Sequence, residues 1–301
     1  MKRQSWILFT ILVFIWGFNW TFIKIGLSFA SPLNFVAQRL LIASATLLPA
    51  IIWKRGNLPK DASTWFKLFL LSTINAVGMI LTHIGTLYEV SGLSSILTYT
   101  QPLFVFCLAI PLLSETVTAT KVFGVTVGFL GVATIYVGRL SYSPNVSSAV
   151  PLLILGALTW AIIIIGYKKF LSHVSPETVN IMQLLIGAFF LLMAALALEG
   201  LTFIADPFYI FSLLYVSVPG TAVGFTIWFT LVRREEATVV SASSLIVPAI
   251  AFVAGCLLLG EPIDRLSIAG FVMVLAGVFL VNRPPKSKQV KDNNTVGGKI
   301  T

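Results

Sequence analysis

Hydrophobic residues in this chain form long runs that are separated by short polar stretches. An α-helix rises 1.5 Å per residue, so about 20 apolar residues cross the hydrocarbon core of a bilayer. We predict one transmembrane helix from each of ten windows: 5–28, 33–53, 65–88, 92–113, 119–138, 148–168, 177–198, 207–232, 237–259 and 266–282. The pattern therefore predicts an all-α membrane protein with ten transmembrane helices.

The composition excludes a soluble protein. Hydrophobic residues make up 57% of the chain and charged residues only 10%, whereas about a quarter of the residues in a soluble domain are charged. The ten windows leave only short connections, so we expect no soluble domain. The segment 283–301 after the last window is polar and basic, and we predict a disordered cytoplasmic tail.

The basic residues mark the two sides of the membrane. A net charge of +9 could suggest nucleic acid, but Lys and Arg occur in small groups between the apolar runs. If the windows cross alternately, one side carries sixteen basic residues: Lys2, Arg3, Lys54, Arg55, Lys60, Lys67, Lys121, Lys168, Lys169, Arg233, Arg234, Arg283, Lys286, Lys288, Lys291 and Lys299. The other side carries only Arg139 and Arg265. The positive-inside rule then predicts an inner-membrane protein with both termini in the cytoplasm and no nucleic-acid partner.

The two halves of the sequence are related. A shift of 146 residues superimposes identical residues that include these pairs: Ser95 and Ser241, Pro102 and Pro248, Phe106 and Phe252, Glu115 and Glu261, Gly124 and Gly270, Gly131 and Gly277. Earlier in each half, a shift of 144 pairs Trp16 with Trp160. We predict two repeats of five helices, residues 1–140 and 148–282. Because five is odd, the repeats are inverted, which is a common architecture of secondary transporters.

The sequence resembles the EamA-type members of the drug/metabolite transporter superfamily. The resemblance covers residues 5–282 and rests on these motifs: Trp16-Gly17, Lys24, Pro32, Arg39, the block from Pro102 to Glu115, and the copies Trp160-Ala161, Pro176 and the block from Pro248 to Glu261. It implies a basket-shaped fold whose cavity is lined mainly by helices one, three, four, six, eight and nine. It also implies export of a metabolite or drug by alternating access, and it does not name the solute.

Two prolines fall near the centres of the fourth and ninth windows. Pro102 and Pro248 each remove one backbone hydrogen bond, so we expect a kink that serves as a hinge and frees a carbonyl group. Polar residues accompany them and are expected to form a wall of the cavity: Ser95, Thr98, Tyr99, Ser241 and Ser244. The alternative is that these small hydroxyl residues only permit close packing and bond back to their own helix.

The first window carries an aromatic and polar stripe. Trp16 and Trp20 lie one helical turn apart, with Asn19 on an adjacent edge. Trp16 and Asn19 are too deep for an interfacial aromatic belt, so we expect the stripe to face the interior and bind solute. Trp160 in the sixth window and Trp228 in the eighth are weaker analogues, for which simple packing is the alternative.

Three further polar residues lie inside windows. Arg39 is either an anion-binding group or a side chain that extends to the membrane surface, and its repeat counterpart is the neutral Gln183. Asn75 and His83 lie in the third window. His83 could couple transport to protons, or it could be a neutral, hydrogen-bonded lining residue.

Glycines form small-residue faces on the fifth and tenth windows: Gly124, Gly128, Gly131, Gly270 and Gly277. Such faces allow helices to approach closely. They leave two interpretations open, which are packing within the bundle and formation of a homodimer.

Known catalytic motifs are absent from the sequence. There is no nucleotide-binding G-x-x-x-x-G-K-[ST], no H-E-x-x-H zinc motif and no G-x-S-x-G nucleophile motif. We predict a secondary transporter without a cofactor or metal, which exports small metabolites such as amino acids, or drugs. The alternatives are a membrane enzyme that acts on a lipid-linked substrate and a non-transporting scaffold.

Overall fold

The computed structural model describes residues 3–53, 58–113, 118–140, 144–234, 244, 246–261 and 264–281. Every regular element in these ranges is helical: α1 (Arg3–Leu27), α2 (Pro32–Trp53), α3 (Ala62–Tyr88), α4 (Ser91–Thr98), α5 (Gln101–Leu113), α6 (Ala119–Leu140), α7 (Pro144–Gly166), a π-helical segment (Tyr167–Leu171), α8 (Pro176–Leu198), α9 (Pro207–Ser217), a second π-helical segment (Val218–Val223), α10 (Gly224–Arg234), α11 (Ile246–Leu259) and α12 (Arg265–Val281).

The helices are long and apolar enough to make this a multi-pass membrane protein. Within the described ranges, seven helical stretches have the length and composition to cross a bilayer, and α11 and α12 are shorter apolar helices. Large apolar side chains are exposed on the outside of the bundle, for example Phe123 (62%) and Phe189 (61%). Such a surface suits contact with lipid. The all-helical membrane class predicted from the sequence is therefore confirmed, while the count of ten spans stays a prediction.

Local sequence signals set several helix starts. Asp61 accepts a hydrogen bond from the Thr64 backbone N–H at 2.7 Å and begins α3. Hydrogen bonding from Thr64 holds the pKa of the Asp61 carboxyl below its usual value. Asp206 accepts from the Phe208 N–H at 2.8 Å and begins α9, with a proline in the first turn. In each case a side-chain oxygen satisfies a backbone donor that has no partner within the helix.

The fourth predicted span contains a break where we expected a kink. Helix α4 ends at Thr98, Tyr99 and Thr100 form a turn, and Pro102 is the second residue of α5. Pro248 likewise lies in the first turn of α11. Proline is tolerated in a first turn because the N–H that it lacks would have no helical partner there. The hinge role of both prolines stays a prediction.

The helix packing is symmetric between the two halves. The contact of α1 with α11 corresponds to that of α7 with α4 and α5, and the contact of α3 with α7 corresponds to that of α1 with α9 and α10. Contacts of α3 with α8 and of α2 with α9 form another such pair. The pairs α2–α8 and α6–α12 correspond to themselves. Exchanging the halves therefore maps these contacts onto one another.

Helices α6 and α12 meet through the predicted glycine faces. A Cβ atom on Gly277 would lie 2.5 Å from the Gly128 nitrogen, and one on Gly131 would lie 2.7 Å from the Gly270 carbonyl oxygen. The backbones thus touch directly, which only glycine permits. These glycines pack against each other within one chain, so they give no support to the homodimer interpretation. That interpretation stays a prediction.

One end of the bundle is tied by hydrogen bonds between the halves. Asn34, at the start of α2, donates from its side-chain nitrogen to Glu199 Oε2 at 3.0 Å and to the Gly200 carbonyl at 2.9 Å. Its side-chain oxygen accepts from the Thr202 N–H at 3.2 Å. We call this the capped end, where α2, α4 and α9 begin and α1, α3, α8 and α11 end.

Candidate solute-binding cavity

A cavity lies between the halves of the bundle. It is lined from α1, α2, α3, the break between α4 and α5, α7 and α10 by these residues: Trp16, Asn19, Trp20, Ile23, Arg39, Met79, Thr82, His83, Thr98, Tyr99, Gln101, Trp160, Phe225 and Trp228. Its volume of about 90 Å³ is smaller than the roughly 150 Å³ cavity that holds benzene in a protein core. In this state the cavity suits a small solute or part of one.

Aromatic rings form one side of the cavity. Trp16 is the central ring, with centroids 6.3 Å from Trp160, 5.7 Å from Phe225 and 5.4 Å from Trp228. Trp160 and Phe225 lie 5.1 Å apart in an edge-to-face arrangement. Rings in such mutual contact hold one another in place. Their faces offer an apolar surface that also attracts cations.

A buried positively charged side chain, Arg39, also lines the cavity. Arg39 is only 4% exposed, and its Nε donates to Thr221 Oγ1 at 2.7 Å. Its Nη1 donates to His83 Nε2 at 3.1 Å. Arginine can only donate, so His83 Nε2 must be the acceptor of this bond. We therefore assign the His83 proton to Nδ1, which donates to the Met79 carbonyl at 2.6 Å. Among the described residues neither bond of Arg39 reaches a carboxylate, so the guanidinium keeps its positive charge available to an anion.

The second π-helical segment positions Arg39 and Trp16. Trp16 Nε1 donates to the Gly220 carbonyl at 3.0 Å, and Thr221 accepts from Arg39. Asn180 of α8 donates to the Ala222 carbonyl at 3.1 Å. Wider π-helical bonding frees backbone carbonyls from the regular ladder, and the side chains of Trp16 and Asn180 from two other helices bind them. The hydrophobic pattern did not predict this segment, although its Pro-Gly pair indicates a departure from regular α-helix.

Four polar atoms at the cavity have no hydrogen-bond partner in the described part of the chain. The acceptor-capable atoms are Asn19 Oδ1 and Thr98 Oγ1, and the donors are Gln101 Nε2 and Trp228 Nε1. Buried polar groups are nearly always paired, so unpaired ones call for a ligand or water. The cavity can therefore bind a molecule that both donates and accepts hydrogen bonds.

The structure places nine of the thirteen predicted binding residues at the cavity: Trp16, Asn19, Trp20, Arg39, His83, Thr98, Tyr99, Trp160 and Trp228. Asn75 is buried beside Met79, 4.0 Å from its sulfur, and does not line the cavity. Ser95 and Ser244 are also buried away from the cavity, and Ser241 lies outside the described residues. The binding role of all thirteen stays a prediction.

Five lining residues were absent from the prediction: Ile23, Met79, Thr82, Gln101 and Phe225. Ile23, Met79 and Phe225 are apolar residues in apolar helices, where hydropathy does not distinguish a cavity from lipid or core. Gln101 carried a signal, since it is an amide in an apolar run directly before Pro102.

Comparison with known proteins identifies the family. The model of the EamA-like transporter family matches this chain twice, at residues 4–137 and 147–283. The chain belongs to the EamA-like transporter family. The double match also gives it the two-repeat architecture of that family, and the resemblance to EamA-type transporters noted in the sequence is confirmed.

Relatives of this EamA-like protein include named transporters. It is 32% identical to the uncharacterized transporter YvbV of Bacillus subtilis (strain 168), over 96% of this chain and 94% of the relative. It is 28% identical to a probable amino-acid metabolite efflux pump of Salmonella typhimurium, over 93% of this chain and 95% of that protein. A protein of known crystal structure aligns with a TM-score of 0.69 at 12% identity, over 93% of this chain and 98% of that one, and shows the fold alone. The protein is therefore a membrane transporter by family.

Proposed function

We propose that this EamA-like protein is a secondary transporter that exports small metabolites across the cytoplasmic membrane by alternating access. The observation that carries the proposal is the cavity between the halves, in which a buried Arg39 faces aromatic rings and unpaired polar atoms. A scaffold gains nothing from unpaired buried groups, which cost about 1–3 kcal/mol each. A binding cavity requires them.

The chemistry of the lining favours a zwitterion of amino-acid type. A carboxylate would bind Arg39, with Trp228 Nε1 and Gln101 Nε2 as further donors. An ammonium group would donate to Asn19 Oδ1 and Thr98 Oγ1. The aromatic rings would hold an apolar side chain. The relatives in Salmonella typhimurium and Escherichia coli named as probable amino-acid metabolite efflux pumps support this class.

The proposed topology has ten spans in two inverted repeats with both termini in the cytoplasm. The symmetric packing supports it, because the main contacts between the helices exchange in pairs when the two halves are exchanged. The sixteen basic residues on one predicted side, against two on the other, support the orientation. The capped end then faces outward.

Transport by purified protein in liposomes tests the function. We expect flux of neutral amino acids from a panel of neutral, acidic and basic ones, with a pH gradient as a second condition. Arg39→Gln removes the guanidinium, and we expect affinity for solutes with a carboxylate to fall about tenfold or more, as for loss of a charged hydrogen bond. Gln38→Ala is the matched control, since the neighbouring Gln38 bonds Thr202 at the capped end and does not line the cavity.

Two results would contradict the proposal. A panel in which no metabolite moves under either condition would remove the transporter assignment. An equal loss of binding for cations that lack a carboxylate would remove Arg39 as the anion-binding group.

A further inference from the structure

Helix α4 joins the capped end to the cavity. It has eight residues, Ser91–Thr98, and every one of them is buried. It begins directly after α3 at the capped end, and its last residue lines the cavity. A solute that leaves the cavity toward the capped end therefore has α4 beside or across its route.

One face of α4 carries only hydroxyl groups. At 3.6 residues per turn, Ser91, Ser94, Ser95 and Thr98 fall within an arc of about 100°. The opposite side, which carries Leu93 and Ile96, packs into an apolar cluster. Serine in a helix commonly bonds back to its own backbone, yet Ser94 Oγ, Ser95 Oγ and Thr98 Oγ1 have no partner among the described residues. Three hydroxyl groups that lack a protein partner among the described residues thus lie in a row along α4.

A carboxylate from the other half holds the start of this row. Glu261 Oε1 accepts from the Ser91 N–H at 2.6 Å, and its Oε2 accepts from Ser91 Oγ at 2.8 Å and the Gly92 N–H at 3.3 Å. The charge also complements the positive end of the α4 dipole. Gly255 provides the room, because a Cβ there would lie 2.2 Å from Glu261 Oε2.

Lys24 of α1 binds the end of α3, next to the start of α4. Lys24 Nζ donates to the carbonyls of Thr86, Leu87 and Glu89, each at 2.8 Å, and so closes the end of α3. It lies within electrostatic reach of Glu261. At the capped end, Lys24 thus binds the end of α1 to the end of α3, and Glu261 binds the end of α11 to the start of α4.

We propose that the hydroxyl face of α4 is the wall of the solute's exit route, and that Glu261 bound to Ser91 and Gly92 is the latch that keeps this route shut. This rests on the transporter function proposed above. Release of the latch separates α4 from α11, and the unpaired hydroxyls then bind water and the passing solute.

Cysteine labelling tests the route without any need for transport. In a background with Cys107→Ala and Cys256→Ala, single variants Ser94→Cys and Ser95→Cys place a thiol on the hydroxyl face. Ile96→Cys on the opposite side of α4 is the matched control. A membrane-impermeant sulfonatoethyl methanethiosulfonate, added outside intact cells, reports the labelling rate of each thiol.

We expect Glu261→Gln to raise the labelling rates of Ser94→Cys and Ser95→Cys about tenfold, since weakening the latch shifts the population toward the open route. Labelling of Ile96→Cys should not change. Gly255→Ala places a methyl group against the Glu261 carboxylate and should also raise the labelling rates. It provides a second test in case Glu261→Gln does not fold. Size-exclusion profiles check that each variant folds.

Each other outcome overturns one claim. Hydroxyl-face thiols that label at the same rate with and without Glu261 would overturn the latch. Equal acceleration of Ile96→Cys would show general loosening of the bundle instead of a route. Flux that persists while labelling does not respond would remove the latch and leave the transporter. Responsive labelling in a protein that moves no solute would remove the transporter function on which the route rests.

Discussion

The capped end and the cavity both bury polar groups, but they pair them differently. At the capped end the side chain of Asn34, only 1% exposed, uses both its nitrogen and its oxygen to bind the opposite half. At the cavity Trp228 is 3% exposed, and its N–H has no partner in the described residues. Paired groups stabilise one arrangement of helices. Unpaired groups lower stability and become useful only when a ligand arrives.

The largest expected effect is on the stability of the capped end. Asn34→Ala would remove the side-chain donor to Glu199 and to the Gly200 carbonyl, and it would leave the Thr202 N–H without its side-chain acceptor, which should lower stability by about 3 kcal/mol. The midpoint of thermal unfolding in detergent measures this change. Ser28→Ala is the control, because Ser28 is exposed and bonds only the Ile25 carbonyl within α1. Equal midpoints for the two variants would contradict the assigned role of Asn34.

A change in the cavity should lower solute affinity without lowering stability. Trp228→Phe keeps an aromatic ring and removes the unpaired N–H, so we expect solute affinity to fall about tenfold while the unfolding midpoint stays the same or rises. Calorimetric titration of the solute identified by the liposome assay measures affinity. Phe229→Leu, on the next residue and outside the cavity lining, should lower stability and leave affinity unchanged. A loss of stability without a loss of affinity in Trp228→Phe would show that this side chain only packs.

The smallest effect should come from a buried hydroxyl that lies away from the cavity. Ser95→Ala removes an unpaired Oγ, so stability should rise by less than about 1 kcal/mol and affinity should stay within twofold of the parent. The same titration and unfolding measurements apply. A clear loss of affinity would place Ser95 in the binding site after all.

Sequence patterns determined the helices, the repeat and much of the site. Apolar runs of spanning length locate helices because a bilayer leaves no other partner for the backbone than the helix itself. The shift between Pro102 and Pro248 revealed the repeat through identical residues. Polar or aromatic residues deep in a run, such as Trp16 and Arg39, were expected at the cavity because burying them elsewhere is costly.

Only the tertiary structure decided which faces of the helices meet. Asn75 and Ser95 looked equivalent to His83 and Thr98 in the sequence, yet only the latter pair lies at the cavity. The rotation of each helix and the position of each residue along it decide which side chains line the cavity. Hydropathy reports burial, and it does not distinguish a packed face from a lining face.

Long-range pairing was likewise invisible in the sequence. Ser91 and Glu261 are 170 residues apart, and their contact follows from how α4 packs on α11. The bond of Arg39 to Thr221 depends on a π-helical segment that regular helix propensity does not predict. The hydrophobic pattern thus determined the all-helical membrane class, and the repeated residues determined the two-repeat architecture. The tertiary structure decided which polar groups are paired, because pairing depends on helix rotation and on local departures from regular helical bonding.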